Sequence, residues 1–322
     1  MDCTFHPGTE TLLSCTRCDR PACGACLRPA PVGSHCPACV AGIDADADIS
    51  DSGTRRRLSR GAAAADPSLR RPGWVFYALV GLFLALCVAT AFVSGDRQPD
   101  SFAPRALAMG IVVVGALVSV TLHEWAHAYV AYRGGDASVV SQGYLTLDFR
   151  KYAHPLLSFG LPILFLLAGG LPLPGGAVWI DRSALRSRAW GSAVSVAGPL
   201  MNLLNGVVLL GVVRSGALGD NWLLSSALAF LGFVLVVIVI LNLLPVPGLD
   251  GYGALEPWLP AELRNALAPV RSWGMLILLL LVFQTNALGF MYDWSLSLAT
   301  AMGVDPGYIG LGSWLASPQL NR

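Results

Sequence analysis

"VTLHEWAHAYVA" (residues 120–131) places two histidines and a glutamate inside a segment that is otherwise apolar enough to cross a bilayer. An Asp, Lys or Arg side chain at the centre of a membrane helix costs about 2.5–3.5 kcal/mol on insertion scales. Ionisable residues within membrane spans therefore tend to mark functional sites. The segment predicts such a site at membrane depth.

The composition of the whole chain is that of a membrane protein. It has 322 residues, of which 54% are hydrophobic and only 13% are charged. Soluble proteins carry about 25% charged residues, so the low charge predicts extensive contact with lipid. The formal net charge of +1 excludes neither a charged partner nor a charged surface. The N-terminus shows cysteines and charges rather than the apolar core and cleavage site of a secretory signal.

Residues 1–40 contain four short pairs of metal-ligating residues. The pairs are Cys3-x-x-His6, Cys15-x-x-Cys18, Cys23-x-x-Cys26 and Cys36-x-x-Cys39. Two ligands at this spacing can bind the same zinc ion, and a tetrahedral site needs four ligands, so the four pairs supply two complete sites. A disulfide framework is the alternative, but it leaves an odd cysteine and gives no role to His6. Since so short a domain buries too little core to fold alone, we expect two structural zinc ions to stabilise it.

The four pairs resemble the B-box and treble-clef-like zinc fingers that precede some bacterial membrane proteases. The resemblance implies cross-braced ligation by two groups: Cys3, His6, Cys23 and Cys26 on one zinc, and Cys15, Cys18, Cys36 and Cys39 on the other. The spacing itself leaves the pairing open, and His35 could substitute for Cys36.

Residues 41–72 separate this domain from the apolar part of the chain. Aspartates come first, then arginines, and there is no apolar periodicity. We therefore expect a flexible linker. Its basic end could contact anionic membrane lipid.

Residues 73–322 are predicted to form an all-α polytopic membrane domain. Five apolar runs approach the roughly 20 residues that a crossing requires. These runs are 74–94, 106–132, 190–213, 223–245 and 273–291. A sixth run, 155–171, is short and is interrupted by Pro162 and two glycines, so we expect a re-entrant hairpin there. The total is five to six transmembrane helices, while the apolar tail from Trp294 to Leu315 has no assigned position.

The distribution of arginine predicts the orientation of the domain. Reduced, zinc-ligating cysteines belong in the cytosol, and the arginine cluster before Trp74 agrees by the positive-inside rule. A re-entrant hairpin at 155–171 keeps Arg182, Arg186 and Arg188 inside, whereas a full crossing would place them outside. We therefore expect an integral protein of the bacterial cell membrane, with its N-terminus and active site facing the cytoplasm.

His123 and His127 are four residues apart, so on a helix they project from the same face, one turn apart. Both imidazoles can then bind one zinc, while Glu124 reaches a metal-bound water as general base. The alternative is an interior His/Glu cluster satisfied by hydrogen bonds.

A catalytic zinc also needs a third protein ligand. The candidate for this ligand is Asp250, at the end of "LNLLPVPGLDG" (241–251). The alternative is that Asp250 belongs to an ordinary Asp-Gly turn outside the membrane.

Three motifs resemble those of the site-2 protease family of intramembrane zinc metalloproteases. They are "HEWAH" (123–127), "VAGPLMN" (196–202) and the pattern from Asn242 through Pro245 to Asp250-Gly251, and their order matches the family across residues 106–251.

The resemblance implies a role for each residue that matches a motif. His123, His127 and Asp250 would be ligands of one catalytic zinc, and Glu124 the acid/base. Asn242 would help to hold the oxyanion, and Asn202 would position the substrate strand. For these two amides, interhelical hydrogen bonding is the alternative.

The segment "SQGYLTLDFRKYAHP" (141–155) alternates apolar residues, which suggests a short strand whose edge could pair with a substrate backbone. It resembles a stretch in a bacterial branch of the family. His154 matches a histidine of that stretch, and we expect it at the surface or behind the ligands rather than as a fourth ligand. The following "LPLPGGAVWID" (171–181) departs from the pattern of that branch.

The resemblance implies hydrolysis of peptide bonds within or near transmembrane segments, close to the cytoplasmic face. The expected substrate is a single-pass membrane protein with helix-weakening residues, cut to release a cytosolic fragment. We expect the zinc finger to recruit substrate or a protein partner, because Arg17, Arg20 and Arg28 are too few to favour nucleic acid.

Three other functions compete with this interpretation. One is a catalytically silent membrane scaffold that binds partners through its zinc finger. Another is a protease of the prenyl-protein-processing type, which takes a glutamate as its third ligand. A transporter is disfavoured, because the sequence shows no internal repeat.

Overall fold

The computed structural model describes residues 1–29, 34–40, 71–93, 99, 101–151, 178–270 and 287–317. The strands in these ranges are β1 (Asp2–Cys3), β2 (His6–Glu10), β3 (Arg28–Pro29) and β4 (Ser34–His35). The helices are α1 (Pro37–Val40), α2 (Trp74–Thr90), α3 (Phe102–Gly134), α4 (Ser138–Ser141), α5 (Arg188–Arg214), α6 (Trp222–Asn242), α7 (Asp250–Leu255), α8 (Ala261–Leu267), α9 (Ala287–Ala301) and α10 (Pro306–Ala316). Single 3-10 turns lie at Tyr144–Thr146, Phe149–Lys151, Arg182–Ala184 and Glu256–Trp258.

The N-terminal domain consists of two small antiparallel hairpins and the short helix α1. Strand β1 pairs with β2, and β3 pairs with β4. The buried core consists mainly of cysteines, together with Phe5, Ala22 and Ala38. Three apolar side chains of this size cannot offset the entropy of ordering the domain. The apolar core by itself therefore contributes too little to stabilise this domain.

The membrane domain is built around α6. Among the described residues, α3, α5 and α6 are long and apolar enough to cross a bilayer. Nearly every side chain of α6 is buried, because α3, α5, α9 and α10 surround it. This burial explains why α6 is hydrophobic on all sides rather than on one stripe. Helix α2 is shorter, with 17 residues, and packs on α3.

Glycines allow the central helices to approach closely. A Cβ atom on Gly206 of α5 would lie 3.1 Å from the carbonyl oxygen of Gly232 on α6. A Cβ on Gly232 would lie 2.9 Å from Leu210 of α5, and one on Gly115 of α3 would lie 2.4 Å from Leu231 of α6. Membrane helices gain little from the hydrophobic effect against one another, so close packing at small residues is a main source of their association.

Long helices that follow one another in the chain run antiparallel (α2 and α3, α3 and α5, α5 and α6), which defines two ends. At one end, the amide of Arg186, just before α5, donates to the carbonyl of Gly134 at the end of α3 (3.0 Å). We call this the Gly134 end; the end of α6 and all of α7 also lie there. At the other end, Asn221 before α6 donates to Thr90 at the end of α2 (2.9 Å). We call this the Thr90 end.

The predicted spans compare well with the helices in the described ranges. The runs 106–132, 190–213 and 223–245 correspond to α3, α5 and α6, and 74–94 corresponds to α2. Helix α6 ends at Asn242, three residues earlier than the apolar run, because Pro245 and Pro247 cannot continue a helix. The tail from Trp294 to Leu315, unassigned from sequence, lies in α9 and α10.

Several predictions lie outside the described residues. These are the linker at 41–72 apart from its last two residues, the re-entrant hairpin at 155–171, His154, and the run 273–291 apart from its last residues, which begin α9.

The short strand expected at 141–155 is wrong for residues 141–151. The chain instead forms 3-10 turns at Tyr144–Thr146 and Phe149–Lys151. Gly143 (φ 73°) and Leu147 (φ 54°) adopt left-handed backbone conformations, which interrupt an extended strand. The apolar side chains of Tyr144 and Leu145 are buried against α3 rather than alternating across a sheet.

Candidate metal sites

His123 and His127 lie on one face of α3 and are buried, with 7% of each residue exposed. Their rings are edge-to-face with centroids 4.6 Å apart, and their Nε2 atoms are 3.0 Å apart. The carboxylate of Asp250 on α7 meets both rings, with Oδ2 3.3 Å from Nε2 of His123 and Oδ1 3.3 Å from Nε2 of His127. The structure therefore brings together the three side chains that the sequence singled out.

The spacing of these donor atoms fits one zinc ion. In a tetrahedral site with bonds of about 2.0–2.1 Å, the ligand atoms lie about 3.3 Å from one another. The measured separations are 3.0, 3.3 and 3.3 Å. Two imidazoles and a carboxylate are also ligand types that zinc accepts. Within the described residues the third member of this group is an aspartate. A protease of the prenyl-protein-processing type, considered above as an alternative, would have a glutamate in this role.

Asp250 reaches the histidines because the chain turns back after α6. Gly248 has a φ of 104°, and α7 begins two residues later at Asp250. A Cβ atom on Gly251 would lie 2.2 Å from the carbonyl oxygen of Leu243 and 2.5 Å from that of Leu244. Only glycine permits so close an approach to the backbone at the end of α6. The Asp-Gly pair thus combines a candidate metal ligand, Asp250, with a glycine that lets α7 pack closely enough against the end of α6 for Asp250 to reach the histidines.

His127 is oriented by the backbone of α5. Its Nδ1 atom lies 2.7 Å from the carbonyl oxygen of Val194. Because a carbonyl oxygen only accepts hydrogen bonds, Nδ1 must carry the proton and donate it. The lone pair of Nε2 is then free to face a metal ion, which is the usual arrangement of metal-binding histidines.

Helix α5 passes directly against both imidazoles at Gly198. A Cβ atom there would lie 2.3 Å from Nε2 of His127 and 2.6 Å from Nε2 of His123. Any other side chain would occupy the position where the imidazoles meet. The sequence placed Gly198 in a family motif but did not reveal this contact.

Glu124 is buried beside His123 on α3, with 5% of the residue exposed. Its carboxylate interacts electrostatically with His123, His127 and Asp250, and it accepts a hydrogen bond from the backbone amide of Val178. A buried carboxylate that faces the histidines and Asp250 can exchange protons with a molecule bound between them.

Asn202 and Asn242 are both buried. Asn202 lies one turn after Gly198 on α5, so it shares the face of that helix that meets the imidazoles. Its Oδ1 atom has no hydrogen-bond partner among the described residues, so the interhelical bond considered as an alternative does not use this oxygen. Asn242 is the last residue of α6, where the chain turns toward Asp250.

The N-terminal domain brings its eight candidate ligands into two groups. One contains Cys3, His6, Cys23 and Cys26, and the other Cys15, Cys18, Cys36 and Cys39. This is the grouping that the resemblance implies, and His35 belongs to neither group.

The sulfur separations in both groups match tetrahedral zinc. Cys3 and Cys26 are 3.8 Å apart, Cys15 and Cys39 3.7 Å, and Cys18 and Cys36 3.6 Å. Zinc–sulfur bonds of about 2.3 Å place two sulfur ligands about 3.8 Å apart. Burial raises the pKa of the Cys39 thiol. Zinc must displace that proton to bind the thiolate, so its affinity for this site falls as the pH decreases.

Replacing Gly198 by alanine is expected to disrupt the His123–His127–Asp250 group. The added methyl would occupy the space between the imidazoles, so the zinc bound per chain should fall relative to the wild type. Gly211→Ala is the control, because a Cβ at that position of α5 meets nothing within 4 Å. Metal analysis of the two purified variants measures the effect, and equal zinc content would contradict the close contact of α5 with the imidazoles.

Comparison with known proteins is consistent with a metalloprotease site. The chain is 44% identical over 213 residues to Rip2 of Mycolicibacterium smegmatis, a protein named as a zinc metalloprotease; the match covers 66% of this chain and 80% of that relative. It is 40% identical over 247 residues to Rip2 of Mycobacterium tuberculosis, covering 76% and 93% of the two chains.

A third relative, YwhC of Bacillus subtilis, also named as a zinc metalloprotease, is 35% identical over 185 residues, or 54% of this chain and 80% of YwhC. No family model and no solved structure matches the chain at a significant level. The shared identity over most of each relative, together with the HEWAH motif and the Asp250 geometry, shows that the chain belongs to the site-2 protease family of zinc metalloproteases.

Proposed function

We propose that the protein is an intramembrane zinc metalloprotease that cuts peptide bonds within or near transmembrane segments of other membrane proteins. The observation that carries the proposal is the meeting of His123, His127 and Asp250 inside a bundle of membrane-spanning length. A cluster of this kind is costly to bury in such an environment unless its groups are paired or bind a metal.

We further propose three zinc ions per chain, one catalytic and two structural. His123, His127 and Asp250 would hold the catalytic ion, and the two N-terminal groups would hold the structural ions. When bound, the catalytic zinc would supply Lewis-acid activation of water and of the scissile carbonyl. The remaining chemistry falls to the protein's own side chains.

Glu124 is the proposed acid/base. Its carboxylate would accept a proton from the attacking water and later deliver it to the leaving amine. A carboxylate accepts several hydrogen bonds, so Glu124 would keep its bond from the Val178 amide while it exchanges a proton with the reactants. Asn242 would donate a hydrogen bond to the oxyanion, and Asn202 would pair with the backbone of the substrate.

The substrate is proposed to be a single-pass membrane protein. A helical segment hides its carbonyl groups in its own hydrogen bonds, so it must unwind locally before attack. Helix-weakening residues near the cut would lower that cost. Cleavage close to the cytoplasmic face would release a soluble fragment into the cytosol, as in regulated intramembrane proteolysis.

The distribution of basic residues supports an active site near the cytoplasmic face. The Gly134 end, where the candidate site lies, carries Arg133, Arg150, Lys151, Arg182, Arg186 and Arg188. At the Thr90 end the described residues include Arg105 and Arg214. Basic residues collect on the cytoplasmic side of membrane proteins, so the Gly134 end is proposed to face the cytoplasm of the bacterial cell membrane.

Glu124→Gln is expected to abolish cleavage while leaving the metal in place. General acid–base catalysis contributes about 10²–10⁴-fold, so turnover of a single-pass reporter should fall by at least about 100-fold. Zinc content should remain that of the wild type, whereas Asp250→Ala should lose one ion per chain. Comparing the membrane proteomes of cells that express the wild type and Glu124→Gln would reveal natural substrates. Wild-type turnover by Glu124→Gln would rule out the proposed role.

The proposed orientation is tested by labelling single positions at the two ends. Both positions are exposed, and the variants share a Cys87→Ser background. With a membrane-impermeant maleimide, Asp220→Cys should react in intact cells, whereas Leu255→Cys should react only after permeabilisation. The cysteines of residues 1–40 are present in both variants and give the same background. Labelling of Leu255→Cys from outside would place the site on the opposite face.

The N-terminal domain is proposed to recruit substrates or a protein partner. Deleting residues 1–40 should therefore change which membrane proteins are cut, without changing the zinc held by Asp250 and the histidines. Cys18→Ser combined with Cys36→Ser, which removes two ligands from one group, should reproduce the change in the full-length chain. The readout is the cleavage of each substrate found in the proteome comparison. Unchanged substrate choice in both variants would contradict recruitment.

A further inference from the structure

We propose that Arg182 is a positioning residue that sets the distance between Asp250 and the two histidines. It lies in the 3-10 turn Arg182–Ala184, away from the donor atoms themselves. The inference rests on the proposed role of Asp250 as a metal ligand. Four sets of contacts support it.

One turn of α5 contacts both elements that carry candidate ligands. The carbonyl of Val194 accepts the hydrogen bond from Nδ1 of His127. Two residues earlier, the hydroxyl of Ser192 donates to the carbonyl of Ala254 on α7 (2.6 Å) and accepts from the indole nitrogen of Trp258 (2.8 Å). His127 and α7 are therefore both hydrogen-bonded to the same turn of α5, which fixes their positions relative to each other.

Arg182 joins the same turn to the end of α7. Its Nη1 atom donates to the carbonyl of Gly253 (3.2 Å), and its Nη2 atom donates to the hydroxyl of Ser195 (3.4 Å). A Cβ atom on Gly253 would lie 2.7 Å from Oγ of Ser195 and 3.1 Å from Nη2 of Arg182. Helix α7 is thus held between α5 and the guanidinium, at the end opposite Asp250.

A charged neighbour holds the guanidinium in this direction. Oε2 of Glu256, just after α7, lies 3.4 Å from Nη1 of Arg182. The ion pair is partly exposed, so it adds little to stability by itself. Its effect is to keep the planar guanidinium aimed at the last carbonyls of α7, where a cation is favourable.

The backbone of Arg182 is anchored to the end of the histidine-bearing helix. Asp136, two residues after α3, accepts a hydrogen bond from the amide of Asp181 through Oδ2 (2.8 Å). The other oxygen, Oδ1, accepts from the amide and hydroxyl of Ser138 (2.9 and 2.6 Å), so the carboxylate is held in place. Arg182 therefore connects the helix of His123 and His127 to the helix of Asp250.

The geometry requires an arginine rather than any cation. Two nitrogen atoms of one rigid plane reach Gly253 on α7 and Ser195 on α5 at the same time. A lysine has a single ammonium on a flexible stem and would bridge the two helices less well. Groups that orient metal ligands in this indirect way typically change metal affinity or activity by about 10–100-fold when removed.

Full-length Arg182→Ala, Arg182→Lys and Asp250→Ala would test the inference by competition with a zinc chelator. The zinc absent from Asp250→Ala identifies the ion at the candidate site. Arg182→Ala should bind that ion about 10–100-fold more weakly. Its kcat for the reporter should fall more than its KM rises, and Arg182→Lys should restore part of both. Ser195→Ala, which removes one of the two hydrogen bonds, should weaken binding in the same direction.

Arg186→Ala is the matched control. Arg186 also donates to backbone carbonyls, of Arg133 and Gly134, and covers Trp190, so these contacts lie on α3 and α5 and not on α7. It should retain the zinc affinity of the wild type. Equal zinc affinity and kcat in Arg182→Ala and Arg186→Ala would overturn the inference. Full zinc content in Asp250→Ala would instead overturn the proposed function, whatever the Arg182 variants show.

Should Arg182→Ala lower the melting temperature of the whole protein, Arg182→Lys and Ser195→Ala decide the question. Both substitutions keep side chains of similar volume, so they disturb packing little. Weakened zinc binding at an unchanged melting temperature supports positioning by Arg182. Wild-type zinc affinity in both variants contradicts it.

Discussion

The meeting of two imidazoles with one carboxylate at the Gly134 end of the bundle is the interaction on which the rest of the membrane domain depends. Their donor atoms come from α3 and α7, which are more than a hundred residues apart in sequence. Groups that are this polar and this buried need partners, because lipid offers none. The surrounding helices are arranged so that these groups face one another and not the bilayer.

Glycines and broken backbone make that arrangement possible. Gly198 lets α5 touch the imidazoles, and Gly251 lets α7 fold against the end of α6. The chain between Asn242 and Asp250 leaves the helical conformation beside the buried polar cluster. Within a bilayer, such backbone is tolerated only where protein buries it or a cavity solvates it. The glycines and the turn after α6 together bring the carboxylate of Asp250 to within 3.3 Å of both imidazoles.

The two parts of the chain both contain groups of candidate metal ligands, but these groups lie in very different surroundings. The membrane domain has abundant apolar surface and buries a polar cluster within it, whereas residues 1–40 have almost no apolar core. In the first, a metal ion would serve reaction chemistry; in the second, it would replace the missing core.

Local pattern determined the membrane class, the principal helices and the spacing of the histidines and cysteines, whereas Asn202 and Asn242 became candidates only through the family resemblance. His123 and His127 are one helical turn apart, so their common face follows from the helix period. Only the tertiary structure decided which partners those residues meet. The convergence of Asp250 with the histidines, the contact of Gly198 with both rings and the bridge made by Arg182 join segments distant in sequence, and no local periodicity encodes such contacts. The alternation at 141–151 suggested a strand, but left-handed residues at Gly143 and Leu147 and burial against α3 produced 3-10 turns, because packing against a neighbouring helix outweighed a weak local preference.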